Sequence, residues 1–365
     1  MKYMGKWLRT LFMIMNVLSA AGLIISAYAG MVNPGAAPVA GLAAMTFVIW
    51  VCLSLLLLIA DLFLFRKQCF IQVVALLACC GPLHTYCPLN LPPGELTGPD
   101  KKNSFTVLNY NVEGLCDVAS DRNGGYNRTL HYILESGADM ACLQECYEFR
   151  PLERYGVQQS QIDSMITKYP YYEVNDMGQA IFSKYPFVKI ALPVTSFDEG
   201  KGDFEAYTIA IDSRTITLFN VHLQSIALTP DDRQLYMSLT RKPSEERLKQ
   251  AKSQLLSKLC YGFKQRTVQA HILKEYIDTI GGNMIVCGDF NDVPGCYAIR
   301  TLEKTGLRDS YADAAFGPSI TYHANRFYFR IDHSLYRGNF EAVKCERGYV
   351  DSSDHYPLIT TYLWK

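Results

Sequence analysis

The first hundred residues carry a hydropathy pattern unlike that of the rest of the chain. No charged residue occurs between Thr10 and Ala60. Since about 20 consecutive apolar residues cross the hydrocarbon core of a bilayer, runs of this kind predict transmembrane helices. The pattern predicts a membrane anchor over residues 1–90, with two to three transmembrane helices at about residues 10–31, 39–65 and 69–86.

The third apolar run is the weakest, because it contains Gln72, Pro82 and His84. Basic residues precede the first run, and Arg66-Lys67 follows the second, so the positive-inside rule places both segments in the cytoplasm. Three crossings put the next domain outside the cytoplasm, whereas a re-entrant third run would leave it inside. A cleaved signal peptide is the competing interpretation of the first run, but that run is longer than a signal core.

A linker rich in Pro and Gly, at residues 91–102, separates the anchor from a second part in which short β-type runs alternate with helical segments. This alternation predicts an α/β domain over residues 103–365, with helices covering sheets. Helices are predicted at residues 128–136 and 245–280. Strands are predicted at residues 105–112, 140–143, 180–182, 215–223, 284–287, 331–335 and 358–363.

Three of these strands change from apolar to polar at their carboxyl ends. Residues i and i+2 share a face of a strand, and the face that begins with Phe105 and Val107 ends in Asn109 and Asn111. The same change ends two further strands with the pairs Asn220 and His222, and Asp289 and Asn291. One such pair is ordinary turn chemistry, but each buried unpaired polar group costs about 1–3 kcal/mol. Three pairs therefore predict a shared ligand or metal at one sheet edge.

The charges and cysteines narrow the chemistry. Residues 101–365 carry 30 basic and 32 acidic residues, without the basic excess usual in proteins that grip long nucleic acid. None of the 12 cysteines has Cys-x-x-Cys spacing, so nothing in the sequence supports a zinc site. Carboxylate and amide oxygens with few histidines fit a hard cation, Mg²⁺ or Mn²⁺.

Six motifs, in this order, resemble those of the endonuclease/exonuclease/phosphatase superfamily, over essentially all of residues 103–363. The superfamily includes pancreatic deoxyribonuclease, apurinic endonucleases, deadenylases, neutral sphingomyelinases and inositol polyphosphate 5-phosphatases. The resemblance implies two packed, mixed β-sheets flanked by helices, a four-layer α/β sandwich with the site at one edge. The motifs are Asn111-Val-Glu113-Gly, Gln144-Glu145, Asn220-Val-His222-Leu, Gly288-Asp289-Phe-Asn291-Asp292, Arg330-Ile-Asp332-His333 and Ser353-Asp354-His355.

The resemblance also implies roles for individual residues. Glu145 would be the principal metal ligand, with Asn111 beside it and also near the substrate. Asp289 would orient or deprotonate the attacking water, and Asn291 would hold the phosphate. These assignments imply magnesium as the cofactor, with manganese as the other possibility.

The remaining motifs imply the groups that meet the phosphate. His355, steered by Asp332, would contact the phosphate and stabilise the transition state. His222 would contact the phosphate or protonate the leaving group, and Asp354 would serve a metal or the histidine network. For Arg330 two alternatives stay open, binding phosphate or holding the local hairpin.

Several neighbouring residues are expected to support the site rather than react. Asn109, Asn220 and Gln144 are expected to support the residues around the phosphate, and His333 points to the opposite strand face. The role of Glu113 stays open, because apurinic endonucleases carry Asp at the matching position.

The resulting functional prediction is a membrane-anchored, metal-dependent hydrolase of phosphate esters, most of all a phosphodiesterase of the nuclease type. A phosphatase or a sphingomyelinase-like phospholipid hydrolase is the first alternative, and an inactive, membrane-tethered binding domain is the second. The predicted partners are a phosphate ester (nucleic acid, nucleotide or phospholipid head group) and the bilayer, with no protein partner inferred. The predicted location is a multi-pass membrane protein with an extracytoplasmic catalytic domain.

Overall fold

A computed structural model describes residues 2–91, 94, 96–117, 125–193, 203–226, 245–324 and 327–365, excepting the side chains of residues 2–5 and 245–252. Residues 92, 93 and 95 of the predicted linker lie outside this set. The chain divides into two compact units. The first contains Met1–Tyr86, Val293–Leu302 and the described part of Leu228–Ile272, and the second contains Cys87–Ala227, Leu273–Asp292 and Glu303–Lys365. The first unit therefore extends beyond the predicted anchor.

Two N-terminal helices have the length and composition to cross a membrane, Lys6–Met31 and Phe47–Leu64. The third apolar run forms two helices, Cys69–Ala78 and Cys80–Tyr86, which are bent by 69°. This pair adds a third candidate span only if both helices together make one crossing.

The second apolar run differs from the expected single helix over residues 39–65. It forms Pro38–Met45 and Phe47–Leu64, with a break at Thr46. The Thr46 hydroxyl donates to the Ala43 carbonyl at 2.7 Å and accepts from the Trp50 indole at 3.1 Å. A side chain that bonds the preceding turn competes with the regular helix ladder, and this explains the break.

The described residues of the second unit form two six-stranded sheets. The strands are β1 Ser104–Asn111, β2 Met140–Gln144, β3 Tyr171–Val174, β4 Ala180–Ser183, β5 Phe187–Lys189, β6 Asp203–Ile211, β7 Arg214–His222, β8 Met284–Asp289, β9 Arg308–Asp309, β10 Asp332–Arg337, β11 Phe340–Arg347 and β12 Leu358–Trp364. One sheet has the order β11-β12-β1-β2-β4-β3, and the other has the order β5-β6-β7-β8-β10-β9.

Both faces of the central strands are buried, as their nearly continuous apolar sequences require. On β1, Phe105 and Val107 belong to the core between the two sheets. Leu108 and Tyr110 point the other way, into a second core beneath helices. Two packed, mixed sheets flanked by helices are the predicted fold, and the structure confirms it.

The described residues also form further α-helices. The helix Arg128–Glu135 begins where the Asn127 side chain accepts the Leu130 N–H at 3.0 Å, a standard N-cap. Its bounds and those of the 36-residue helix Glu245–Ile280 match the predicted segments closely. The others are Gly98–Lys102, Gln159–Lys168, Tyr297–Glu303 and Ser310–Ala314.

Candidate active site

Strand direction brings the polar strand ends to one edge of the sandwich. β1 and β2 are parallel, as are β7 and β8, so each pair ends at the same side. In the second pair His222 lies opposite Asp289. β10 runs antiparallel to β8, and its first residue, Asp332, therefore faces Asp289 at the same edge.

Glu145 and Asn111 meet at the ends of the first pair. Asn111 Nδ2 donates to Glu145 Oε1 and to Asp289 Oδ2, both at 3.1 Å. Its Oδ1 accepts the backbone N–H of Glu113, so the amide nitrogen is the atom that faces the carboxylates. Glu145 has a φ of +56°, an unusual left-handed conformation for a residue with a side chain.

Asp289 is buried at the centre of the site. Its Oδ1 accepts the backbone N–H of Asn291 at 2.8 Å. The Asn291 side-chain nitrogen donates to the Leu223 carbonyl at 3.0 Å, and its backbone φ is +52°. Burial raises the pKa of Asp289, while the nearby His355 acts in the opposite direction.

His355 and Asp332 form a buried pair. Nδ1 of His355 lies 2.8 Å from Asp332 Oδ2, and Nε2 lies 3.6 Å from Asp289 Oδ2. Burial disfavours the imidazolium, but the carboxylates of Asp332, Asp289 and Asp354 outweigh it and raise the pKa of His355 to about 10. This histidine therefore carries a positive charge at neutral pH.

His222 is held more loosely. Its Nε2 lies 3.8 Å from Glu145 Oε1 and 3.8 Å from Asp289 Oδ2, beyond hydrogen-bond distance. Across the β6–β7 ladder it lies opposite Asp203. Burial raises the pKa of Asp203 to about 6, against a hydrogen bond from Gln179 and the influence of His222.

Asp354 and Glu113 close the site on the remaining side. The backbone N–H of Asp354 donates to Glu113 Oε2 at 2.9 Å, which ties the loop before β12 to the end of β1. Burial raises the pKa of Asp354 to about 6, and the carboxylates of Glu113, Glu145 and Asp289 add to this rise while His355 opposes it. Its Oδ1 lies 3.9 Å from His355 Nε2.

A buried amide network lies beneath the site and joins the two sheets. Gln144 Nε2 donates to Asn109 Oδ1 at 2.9 Å and to Asn220 Oδ1 at 2.6 Å. Asn220 Nδ2 donates to the carbonyls of Leu143 and Ala180, each at 3.0 Å. These three side chains fix the distance between β1, β2 and β7 below the reactive groups.

Arg330 points away from this cluster. Its guanidinium donates to Asp309 Oδ2 at 3.0 Å, contacts His333 Nδ1 at 3.3 Å and lies over the Tyr311 ring. His333 Nε2 in turn lies 3.0 Å from the Asp292 carbonyl oxygen. Burial, with Arg330 beside it, lowers the pKa of His333 to about 4. These contacts favour the structural alternative for Arg330.

Three residues beside the site carried no sequence signal. Asp203 begins a strand whose sequence gives no reason to expect it near His222. The Thr321 hydroxyl accepts the backbone N–H of Asp332 at 3.0 Å, and the Tyr322 ring packs against the His355 ring at 5.1 Å. Only a pairing of distant strands could have revealed them.

The donor set fits a hard divalent cation. Asp289, Asp332 and His355 offer ligand atoms within 4.8 Å of one another, and the carboxylates of Glu145 and Asp354 border them. Asp332 Oδ1 is buried and has no hydrogen-bond partner among the described residues. Burial raises the pKa values of Asp289 and Asp354 and neighbouring carboxylates add to the rise, and a bound cation would offset this negative charge. Oxygen ligands of this kind suit Mg²⁺ or Mn²⁺.

A model of the endonuclease/exonuclease/phosphatase family matches residues 108–355, and a model of a domain of unknown function (DUF8431) matches residues 9–86. No curated protein matches the chain.

Among solved structures, truncated TDP2 from Caenorhabditis elegans is 16% identical to this chain, with a TM-score of 0.46. The match covers 71% of this chain and 98% of the TDP2 chain. An endonuclease/exonuclease/phosphatase family protein from Bacteroides thetaiotaomicron is 17% identical with a TM-score of 0.43, covering 72% and 98%. ANGEL2, a 2',3'-cyclic phosphatase solved in complex with adenosine-2',3'-vanadate, is 18% identical with a TM-score of 0.43, covering 72% and 96%.

Proposed function

Because the chain belongs to the endonuclease/exonuclease/phosphatase family, we propose that residues 103–365 hydrolyse phosphodiesters with water and a divalent cation, magnesium or manganese. The family consists of phosphoester hydrolases. The observation that carries the proposal is the convergence of Glu145, His222, Asp289 and the Asp332–His355 pair at one edge, although these residues are far apart in sequence.

Each group has a task that its surroundings suit. Asp289, whose pKa is raised by burial, accepts a proton from the attacking water. His355 keeps its proton because Asp332 holds Nδ1, so Nε2 donates a hydrogen bond to the charge that develops on the phosphate. His222, which no carboxylate of the described residues holds at hydrogen-bond distance, passes a proton to the departing oxygen.

Glu145, with Asp354 near it, would hold the cation, which would offset charge on the non-bridging phosphate oxygens. Asn111 keeps the Glu145 carboxylate in place through its amide N–H. Asn291 orients Asp289 through its backbone N–H. Its side-chain nitrogen also donates to Asp289 Oδ2, at 3.3 Å.

The test is a substrate panel given to the full chain in detergent. The panel holds a short single-stranded oligonucleotide, bis(p-nitrophenyl) phosphate, p-nitrophenyl phosphate and sphingomyelin micelles. We expect magnesium-dependent turnover of diesters, lost with EDTA and reduced at least about 10³-fold by Asp289→Asn.

Asp278→Asn is the matched control, since Asp278 lies on an exposed helix face and pairs with Lys274. Equal turnover with and without EDTA would contradict the proposal. Turnover confined to the monoester would instead identify a phosphatase, and turnover confined to sphingomyelin would identify a phospholipid hydrolase.

We also propose that the N-terminal helices anchor the protein in a membrane and that the bent helix pair completes a third crossing, which places the catalytic domain outside the cytoplasm. Large apolar side chains cover the outside of these helices: Leu18 is 61% exposed, Leu56 65% and Phe63 83%. The polar side chains of Asn16, Ser19 and Ser54 on the same helices are buried. Apolar side chains on the outside and polar side chains on the inside are the arrangement expected of helices surrounded by lipid.

Protease treatment of intact cells tests the orientation of the catalytic domain. Protection of the domain until the cells are broken would contradict the proposed orientation.

A further inference from the structure

The anchor contains a buried group of polar side chains, Asn16, Asp61, Gln68 and Gln72, which we name the Asn16 cluster. All four residues are at most 3% exposed. Asn16 Nδ2 donates to Asp61 Oδ2 at 2.7 Å, and Gln72 Nε2 donates to Asn16 Oδ1 at 2.8 Å. Gln68 Oε1 lies 3.4 Å from the same Asn16 nitrogen. The cluster thus joins three helices through one central amide.

Asp61 is the one member of the cluster that can carry a charge. Asp61 is fully buried, and among the described residues it accepts a hydrogen bond from Asn16 and forms no ion pair. The other three members are neutral amides and supply no positive charge. An ionisable group among lipid-covered helices is costly unless it is paired, and such groups mark ion or proton sites.

The count of oxygen acceptors distinguishes a cation from a proton. Asp61 Oδ1 and Gln72 Oε1 are buried and have no hydrogen-bond donor in the part of the chain that the structure describes. Gln68 Oε1 has only a long contact to Asn16 Nδ2, and that nitrogen also donates to Asp61 Oδ2. A proton on Asp61 would turn Oδ1 into a donor to only one of the two glutamine oxygens, whereas a cation takes several oxygen ligands at once and cancels the charge.

We propose that the Asn16 cluster binds one small monovalent cation of about the size of sodium, with Asp61, Gln72 and Gln68 as its oxygen ligands. A single carboxylate matches a single positive charge, which leaves the interior of the helix group neutral. Asp61 is three residues from the end of its helix Phe47–Leu64, close to the neighbouring aqueous phase. The bound cation stabilises the packing of the three helices and is separate from the divalent cation of the hydrolase.

Thermal unfolding of the full chain in detergent tests this site. The salts are sodium, lithium, potassium and choline chloride at equal ionic strength, with EDTA present throughout so that no divalent cation contributes. We expect sodium to raise the melting temperature saturably by several degrees over choline, which is too large for the cluster. Equal melting temperatures in all four salts would overturn the proposal.

Two variants locate the effect. Asp61→Asn keeps the shape and the hydrogen bond to Asn16 but removes the charge, and the sodium-dependent rise should disappear. Ser54→Ala is the matched control, because it removes the buried 3.0 Å contact between Ser19 and Ser54 on the same two helices without touching the cluster. A sodium response retained by Asp61→Asn, or lost in Ser54→Ala, would contradict the assignment.

Equilibrium dialysis of the unaltered chain with radioactive sodium keeps the proposal testable if Asp61→Asn fails to fold. One sodium ion bound per chain in EDTA, and displaced by lithium but not by choline, is the expected result. No bound sodium at concentrations where the chain is folded would overturn it. Stabilisation by acid alone, equal in all salts, would identify a protonated Asp61 and would also overturn it.

Discussion

The two histidines of the site are held in opposite ways. His355 is buried, and Asp332 holds its Nδ1 at 2.8 Å. His222 has carboxylate oxygens of Glu145 and Asp289 at 3.8 Å, and no carboxylate among the described residues lies closer. A histidine with a bonded carboxylate keeps its proton and acts as a fixed charge, whereas a loosely held histidine is free to exchange its proton. The same sheet edge thus contains one histidine of each kind.

Removing the fixed charge should have the largest effect on turnover. We expect His355→Gln to lower kcat/KM about 10³-fold, because a charged donor to the phosphate is lost. The loss should be similar for every leaving group in a series of aryl and alkyl phosphodiesters. His271→Gln, a histidine that stacks on Tyr297, is the control. A loss confined to alkyl substrates would assign proton transfer to His355 instead.

Removing the loosely held histidine should give a smaller and more selective loss. His222→Gln should slow alkyl phosphodiesters about 10²-fold, since their leaving oxygens need a proton. Substrates that release p-nitrophenolate should be affected far less. The measurement is the dependence of kcat/KM on the leaving-group pKa. Equal losses across the series would refute the proposed division of work between the histidines.

Removing the carboxylate that holds His355 should lower turnover less than removing either histidine. Asp332→Asn removes the carboxylate that holds Nδ1, and we expect about a tenfold loss of kcat/KM at neutral pH. Because Asp332 raises the pKa of His355, the alkaline limb of the pH–rate profile should move to lower pH. An unchanged alkaline limb would show that another group controls it.

The Asp332–His355 pair should also make the free energy of unfolding depend on pH. The folded-state pKa of His355 is about 10, above the ordinary value of 6.5. Its stabilising contribution is therefore complete below pH 6.5 and is lost as the pH rises from 6.5 through 10. Urea unfolding in EDTA should show this decline, and His355→Gln should remove it. A decline of equal size in the variant would exclude His355 as its source.

Arg330 should have the smallest effect on turnover. Arg330→Gln leaves the buried Asp309 without its partner, and we expect a loss of about 3–5 kcal/mol in the free energy of unfolding. Among molecules that stay folded, KM should change by less than about twofold. A raised KM with unchanged stability would restore the phosphate-binding alternative.

The sequence predicted seven of the twelve strands that the described residues form, because the apolar runs of these seven are short and end abruptly. It did not predict β3, β5, β6, β9 and β11. The predicted strand at 140–143 is β2 extended by Gln144, and the predicted helix at 245–280 agrees with the observed bounds. The strand-end polar pairs also predicted which residues would meet, because parallel neighbours end at one edge. Both results depend on local pattern alone.

Partners brought together by long-range pairing could not be predicted. Arg330, two residues before β10, pairs with Asp309 of β9, and Asp203 comes opposite His222 through the β6–β7 ladder. The break at Thr46 depends on a hydroxyl bonding the preceding turn, which hydropathy does not register. In each case the deciding contact is a single polar pair, and an apolar pattern carries no information about it.

The left-handed backbone at Glu145 and Asn291 has a consequence for how the protein could evolve. Glycine adopts this conformation without strain, so glycine at either position would relax the fold while removing a functional side chain. Chains selected for heat resistance alone would tend to lose these residues. Side chains at these two positions therefore serve the site at a cost in stability, which arises from two backbone torsions.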